Sequence, residues 1–265
     1  MIIGKSRKEL EKMRAAGQLA GRVLQELRRM VEPGITTLEV DMAAERMIRD
    51  AGALPTFKEY PVGSLIYPYS ICASVNEQVV HGFPSNYKLK EGDIFSIDVG
   101  ATLAGYVGDT ATTVPVGRVS EELLRLIRVT EECLERAIEQ CRAGLHLGDI
   151  GWAVQSHAEA HGYSVVREYV GHGIGRKMHE DPQIPNYGTP GKGAKIKNGY
   201  VFAVEPMVNL GTHETKVLKD KWTVVTLDGR PSAHCEHTIA ITENGPEVFT
   251  RVVRAEQERV ETVGV

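Results

Sequence analysis

The chain has 265 residues, of which 42% are hydrophobic and 25% charged, and it carries a net charge of −4. Those proportions fit a globular protein with a sizeable core, and the negative balance gives no general attraction for nucleic acid or anionic lipid. No apolar run approaches the roughly 20 residues needed to span a bilayer. The opening "MIIGKSRKELEKM" turns charged after its third residue, so no signal peptide is expected and the chain reads as cytoplasmic.

Ser6 and Glu9 form a capping box ahead of a helical face marked by Leu10, Met13, Gly17, Ala20, Val23, Leu24 and Leu27. Pro33-Gly34 breaks that helix. Thr36 and Glu39 form a second box, and the helix they start should run to about Asp50 before Gly52 stops it. After Pro55 the texture turns to strands in "SICASVNEQVVHG" and "GDIFSIDVGATLAGYVGDTATTVPVG". Helices return in "SEELLRLIRVTEECLERAIEQCRAG" and "GDIGWAVQSHAEAHG". Strands follow in "YSVVREYVGHG", "GYVFAVEPMV", "WTVVTLDG" and "AHCEHTIAIT".

The order repeats. Gly34 to Gly52 spans 18 residues, as does Gly144 to Gly162, and "GDIFSID" aligns with "GYVFAVE" from glycine to carboxylate. The offsets of 110 and 107 agree well enough to point to an internal duplication. The expected product is one α+β domain whose similar halves join their sheets into one curved surface, with helices outside.

The chemistry lies in four carboxylates. Asp98 and Asp109 sit on apolar strands; a turn at Leu103-Ala104 would set them directly opposite, with Cβ atoms about 5 Å apart. Glu205 ends an apolar strand, and Glu236 sits within another. Either glutamate alone would most often be a salt-bridge partner. Four converging charges of one sign, in equivalent strands of repeated halves, require cations. His172, flanked by Gly171 and Gly173, is the best local imidazole, and its presence moves the preference from magnesium or calcium toward Mn, Fe, Co or Zn. The segment "YVGHGIGRKMHEDP" fails the dinucleotide-loop spacing because Arg176 takes the last position. Its glycines disfavour a helix, and "HEDP" is not a zincin motif. None of Cys72, Cys133, Cys141 and Cys235 forms a C-x-x-C pair, which leaves four free, mostly buried thiols.

Taken together, "HG" at His81, "DVG…GDTATT", "GHGIGRKMHEDP", "VFAVEPM" and "CEHTIAIT" resemble the type I bacterial methionine aminopeptidases, of the pita-bread metallopeptidase family. The likeness covers essentially the whole chain, and no zinc-finger extension accompanies it. It implies the duplicated pita-bread fold, with halves at approximately 1–117 and 118–250. It also implies removal of the initiator methionine from nascent polypeptides at the ribosome, with small second residues favoured, using two divalent ions (Co, Mn, Fe(II) or Zn); apart from the resemblance, a monomer is expected. Carried over, the metal ligands are Asp98, Asp109, His172, Glu205 and Glu236, with Asp109 and Glu236 bridging. Glu205 is also the general base, His179 donates to the scissile carbonyl, and His81 contacts the scissile amide. Tyr67, Cys72 and Trp222 match pocket positions for the methionine side chain. Ser64 and Met178 depart from the family pattern and are not assigned to the pocket. The rivals within the fold, aminopeptidase P and prolidase, usually carry an added N-terminal domain. A non-catalytic binding relative would have lost ligands, whereas here all five are present.

Overall fold

The structure, a computed structural model, describes residues 2–252. Its four helices are α1 (Arg7–Met30), α2 (Thr37–Asp50), α3 (Glu121–Gln140) and α4 (Leu147–Ala160). Both expected capping boxes form, Glu9 Oε2 accepting from the Ser6 backbone and Glu39 Oε2 from the Thr36 backbone, so α1 and α2 start where their sequences direct.

The long strands Ile94–Leu103 and Tyr106–Pro115 form an antiparallel hairpin, and Ile71–Val75 pairs with the first of them. The turn falls at Ala104-Gly105, not at Leu103-Ala104. Both turn residues take positive φ, at 51° and 77°, as a two-residue hairpin turn of this hand requires, and glycine accepts that conformation where leucine would not. The register therefore places Gly100 opposite Asp109 and Ala111 opposite Asp98. The two aspartates are diagonal neighbours on one face, not a directly opposed pair.

In the second half the strands Glu180–Ile184, Gly171–Gly173, Val201–Val204, His237–Thr242 and Gly245–Val248 form one antiparallel sheet in that order. "YSVVREYVGHG" yields only Ser164–Val165 and Gly171–Gly173 as strand. Glu236 lies between Ser232–His234 and His237–Thr242, bridged to Ala111, and Glu205 follows the last residue of its strand.

Each half has its own core. In the first, Leu19, Leu24, Val40 and Ile48 from α1 and α2 pack on Phe95, Ile97 and Val99. In the second, Leu126, Leu134, Ile150 and Val154 from α3 and α4 pack on Phe202, Val204 and Ile239. A smaller cluster of Met13, Tyr106, Val107, Ile174, Val201, Ala240 and Phe249 joins the two. Threonines complete the join. Asp109 N–H donates to Thr238 Oγ1, which donates back to the Asp109 carbonyl, at 2.9 and 2.8 Å. Thr110 donates to the Glu236 carbonyl, and Thr113 exchanges bonds with both backbone groups of His234. These bonds fix Asp109 against Glu236 before any ion is considered.

Candidate active site

The seam brings the five proposed ligands together. Asp109, His172 and Glu236 present donor atoms that all lie within 4.8 Å of one another, and each of these residues is buried. Glu205 Oε1 lies 3.5 Å from His172 Nε2. Asp98 shares the face of Asp109 on the first-half hairpin.

The electrostatics of this cluster are those of a cation site. Asp98 Oδ1, Asp109 Oδ1 and Glu236 Oε1 are buried with no hydrogen-bond partner. Among the described residues none of the four carboxylates pairs with lysine or arginine, so the salt-bridge reading of the two glutamates fails. Burial pushes the Asp109 carboxyl up to about 7. Burial, with Asp109 next, raises Asp98, Glu205 and Glu236 as well. Unpaired carboxylates driven toward protonation are relieved by cations at the same place. His172 is held low, at about 3, by burial and then by His179, so it is neutral and its contact with Glu205 is no ion pair. His172 Nδ1 donates to the Gly173 carbonyl at 2.9 Å, which leaves the lone pair on Nε2. Two acceptors, Nε2 and Oε1, therefore face each other at 3.5 Å. That arrangement, like the orphaned oxygens, fits divalent ions bound by one imidazole and carboxylates.

Beside the cluster opens a cavity of about 520 Å³ whose wall includes Phe57, Tyr67, Cys72, Met178 and Trp222, and also His81, His172 and His179. Tyr67 meets Trp222 edge to face at 5.2 Å and is held by its hydroxyl to the Ile71 and Gly82 carbonyls. The lining is apolar and sulfur-bearing, and it suits an unbranched thioether side chain. Met178, left unassigned because it departs from the family pattern, is on this wall, whereas Ser64 is not among the lining residues. All four cysteines are free and buried, as expected. His81 has a φ of 58°, a left-handed conformation held at the cavity wall. Burial, then the nearby His179, keeps it neutral at about 4.

Two contacts escaped the sequence. Tyr60 Oη lies 2.7 Å from His179 Nδ1, with the rings edge to face at 5.4 Å. His234 is buried with an unpartnered Nε2 that lies 4.0 Å from Glu205 Oε2. It sits two residues before Glu236, a spacing that could have flagged it.

Comparison with known proteins agrees with this geometry. Residues 11–243 match metallopeptidase family M24, and the chain belongs to that family. Within it, the chain is 52% identical over 252 residues to a methionine aminopeptidase from Clostridium perfringens, covering 95% of this chain and all of the relative. The crystal structure of a methionine aminopeptidase from Thermotoga maritima superposes with a TM-score of 0.92 at 47% identity, over 95% of this chain and all of that one. A prolidase from Pyrococcus furiosus shares the fold at a TM-score of 0.77 and 23% identity, over 95% of this chain and 66% of that one. That last likeness speaks for fold alone.

Proposed function

We propose that this chain removes the N-terminal methionine from polypeptides whose second residue is small, by hydrolysing the first peptide bond. The observation that carries the reading is the set of buried, unpaired carboxylates around Asp109, His172 and Glu236, beside a thioether-sized apolar cavity. The relatives' names support methionine as the residue removed.

In this reading Asp98, Asp109, His172, Glu205 and Glu236 would hold two divalent ions of the Mn, Fe(II), Co or Zn class. When bound, such ions supply Lewis acidity and lower the pKa of water. Glu205 accepts the proton of the attacking water and passes it to the leaving amine. His179 donates from Nε2 to the carbonyl oxygen as negative charge develops, and His81 positions the scissile amide. Tyr67, Cys72 and Trp222 enclose the methionine side chain. The substrate is the N-terminus of a nascent polypeptide, met at the ribosome by a cytoplasmic monomer. No helix among the described residues is long and apolar enough to cross a membrane. The halves 1–117 and 118–250 derive from one duplicated unit. The succession of a long helix, a 14-residue helix and strands in each half supports this.

The test is steady-state cleavage of Met-Ala-Ser against Ala-Pro peptides by stripped protein reloaded with each metal. Activity should depend on added metal and favour Met-Ala-Ser, and Glu205→Ala should lose about 10²- to 10⁴-fold in kcat. Faster turnover of the X-Pro peptide overturns the assignment.

A further inference from the structure

A second group of metal-capable side chains shares no residue with the active site. His157 and His161 lie one turn apart at the C-terminal end of α4, with ring centroids 4.5 Å apart. Glu132 reaches them from α3, and one donor atom from each of the three residues falls within 4.8 Å of the others. His161 Nδ1 lies 2.9 Å from the His157 carbonyl, which can only accept. The His161 lone pair is therefore on Nε2, the nitrogen that can ligate. His157 Nε2 is 2.7 Å from Glu132 Oε2. Arg128 approaches the other oxygen, Oε1, at 3.9 Å, and leaves Oε2 to the histidine.

We propose that Glu132, His157 and His161 form a separate structural site for a divalent ion of the zinc class, clamping the last turn of α4 to α3. The donor set is two imidazoles and one carboxylate, which selects late first-row ions over magnesium and calcium. Two donors on one helical turn are pre-positioned by the backbone, because residues four apart stand on one face. Tetrahedral zinc needs its nitrogen and oxygen ligands about 3.3 Å apart, so replacing the shared proton between His157 and Glu132 asks only a small side-chain rotation. The Glu132 side chain is 43% exposed and that of His157 10%, so the ion can enter and water can complete its coordination. A hydrogen-bonded helix pair accounts for Glu132 and His157; His161, oriented by its bond to the His157 carbonyl, adds a third donor at the same place.

The test is equilibrium dialysis of the metal-stripped full chain against zinc, comparing wild type with His161→Ala, His157→Ala and Glu132→Gln. His172→Ala serves as the active-site control. His161→Ala and His157→Ala should each bind one zinc equivalent fewer than wild type at micromolar free zinc. Both should cleave a Met-Ala-Ser peptide with unchanged kcat/KM. His172→Ala should lose zinc from the other site and retain this one. Zinc should also raise the Tm of His172→Ala more than that of the double variant His161→Ala, His172→Ala. Equal zinc stoichiometry in wild type and His161→Ala overturns the proposal. That variant keeps the Glu132–His157 hydrogen bond, so the outcome stays readable even if His157→Ala folds poorly. Failure of the active-site reading would show separately, as an unchanged metal content in His172→Ala.

Discussion

At the catalytic cavity, hydrogen bonds decide what each imidazole can do. His172 Nδ1 is committed to the Gly173 carbonyl, so Nε2 faces the carboxylates as an acceptor. At His179, burial disfavours the imidazolium, and a phenol is a far better donor than a neutral ring N–H, so Tyr60 Oη–H donates to Nδ1. The His179 proton then sits on Nε2. The same residue type thus serves as acceptor in one place and donor in the other, and the partner of Nδ1 sets the difference. Tyr60→Phe removes that partner and lets the wrong tautomer compete. One hydrogen bond of about 1.4 kcal/mol corresponds to a tenfold loss, so kcat should fall about tenfold. KM for a Met-Ala-Ser peptide should change little, because Tyr60 acts through His179. A rise in KM with kcat intact would place Tyr60 in substrate binding instead.

The elements themselves were largely legible before any coordinates, because their ends are written in local chemistry. The Ser6–Glu9 and Thr36–Glu39 boxes mark helix starts, and both helices begin there. Glu9 also accepts from Tyr106 Oη at 2.9 Å, tying the start of α1 to the hairpin turn. Bonds from the Ser6 backbone, then its hydroxyl, then Tyr106 lower the Glu9 carboxyl to about 2. A carboxyl with a lowered folded pKa adds stability above its unfolded value of about 4.5, and loses it as pH falls through its folded value. Glu9→Ala should therefore lower Tm at pH 7, and the gap from wild type should narrow as pH drops from 4.5 toward 2. Since Glu9 is only partly buried, solvent screening limits the effect to about 1 kcal/mol, or about 2–4 °C in a chain of this size. A gap that widens in acid would contradict the assignment. Contacts between distant elements were not legible in this way. Tyr60 and His179 are 119 residues apart, and no local pattern pairs them. The partner of Asp98 moved by two residues, from Asp109 to Ala111, because it depended on which of two adjacent dipeptides could take positive φ. At Gly108, a Cβ would lie 2.5 Å from the Gly17 backbone, an approach of α1 that only the assembled layers reveal.

Across the whole molecule, stability and site chemistry oppose each other at the seam. Each half buries its own core, while the join concentrates Asp98, Asp109, Glu205 and Glu236 where no lysine or arginine among the described residues neutralises them. Without cations the folded state holds buried carboxylates whose raised pKa values record first the cost of burial and then, for Asp98, Glu205 and Glu236, repulsion from Asp109. On the proposed reading, divalent ions bind the folded chain, where the five proposed ligands meet, and not the unfolded one. At 100 times Kd they should stabilise it by about 2.7 kcal/mol. Glu236→Gln removes one charge from the cluster while keeping its shape. In stripped protein this variant should melt above wild type, by about 1 kcal/mol or 2–4 °C. On adding Mn(II), wild type should gain several degrees and overtake it, because the variant has lost one of the proposed ligands. Scanning calorimetry of both proteins, stripped and reloaded, decides the matter. If stripped Glu236→Gln melts below stripped wild type, the buried carboxylates are not in electrostatic conflict, and the argument for cations at the seam loses its physical basis.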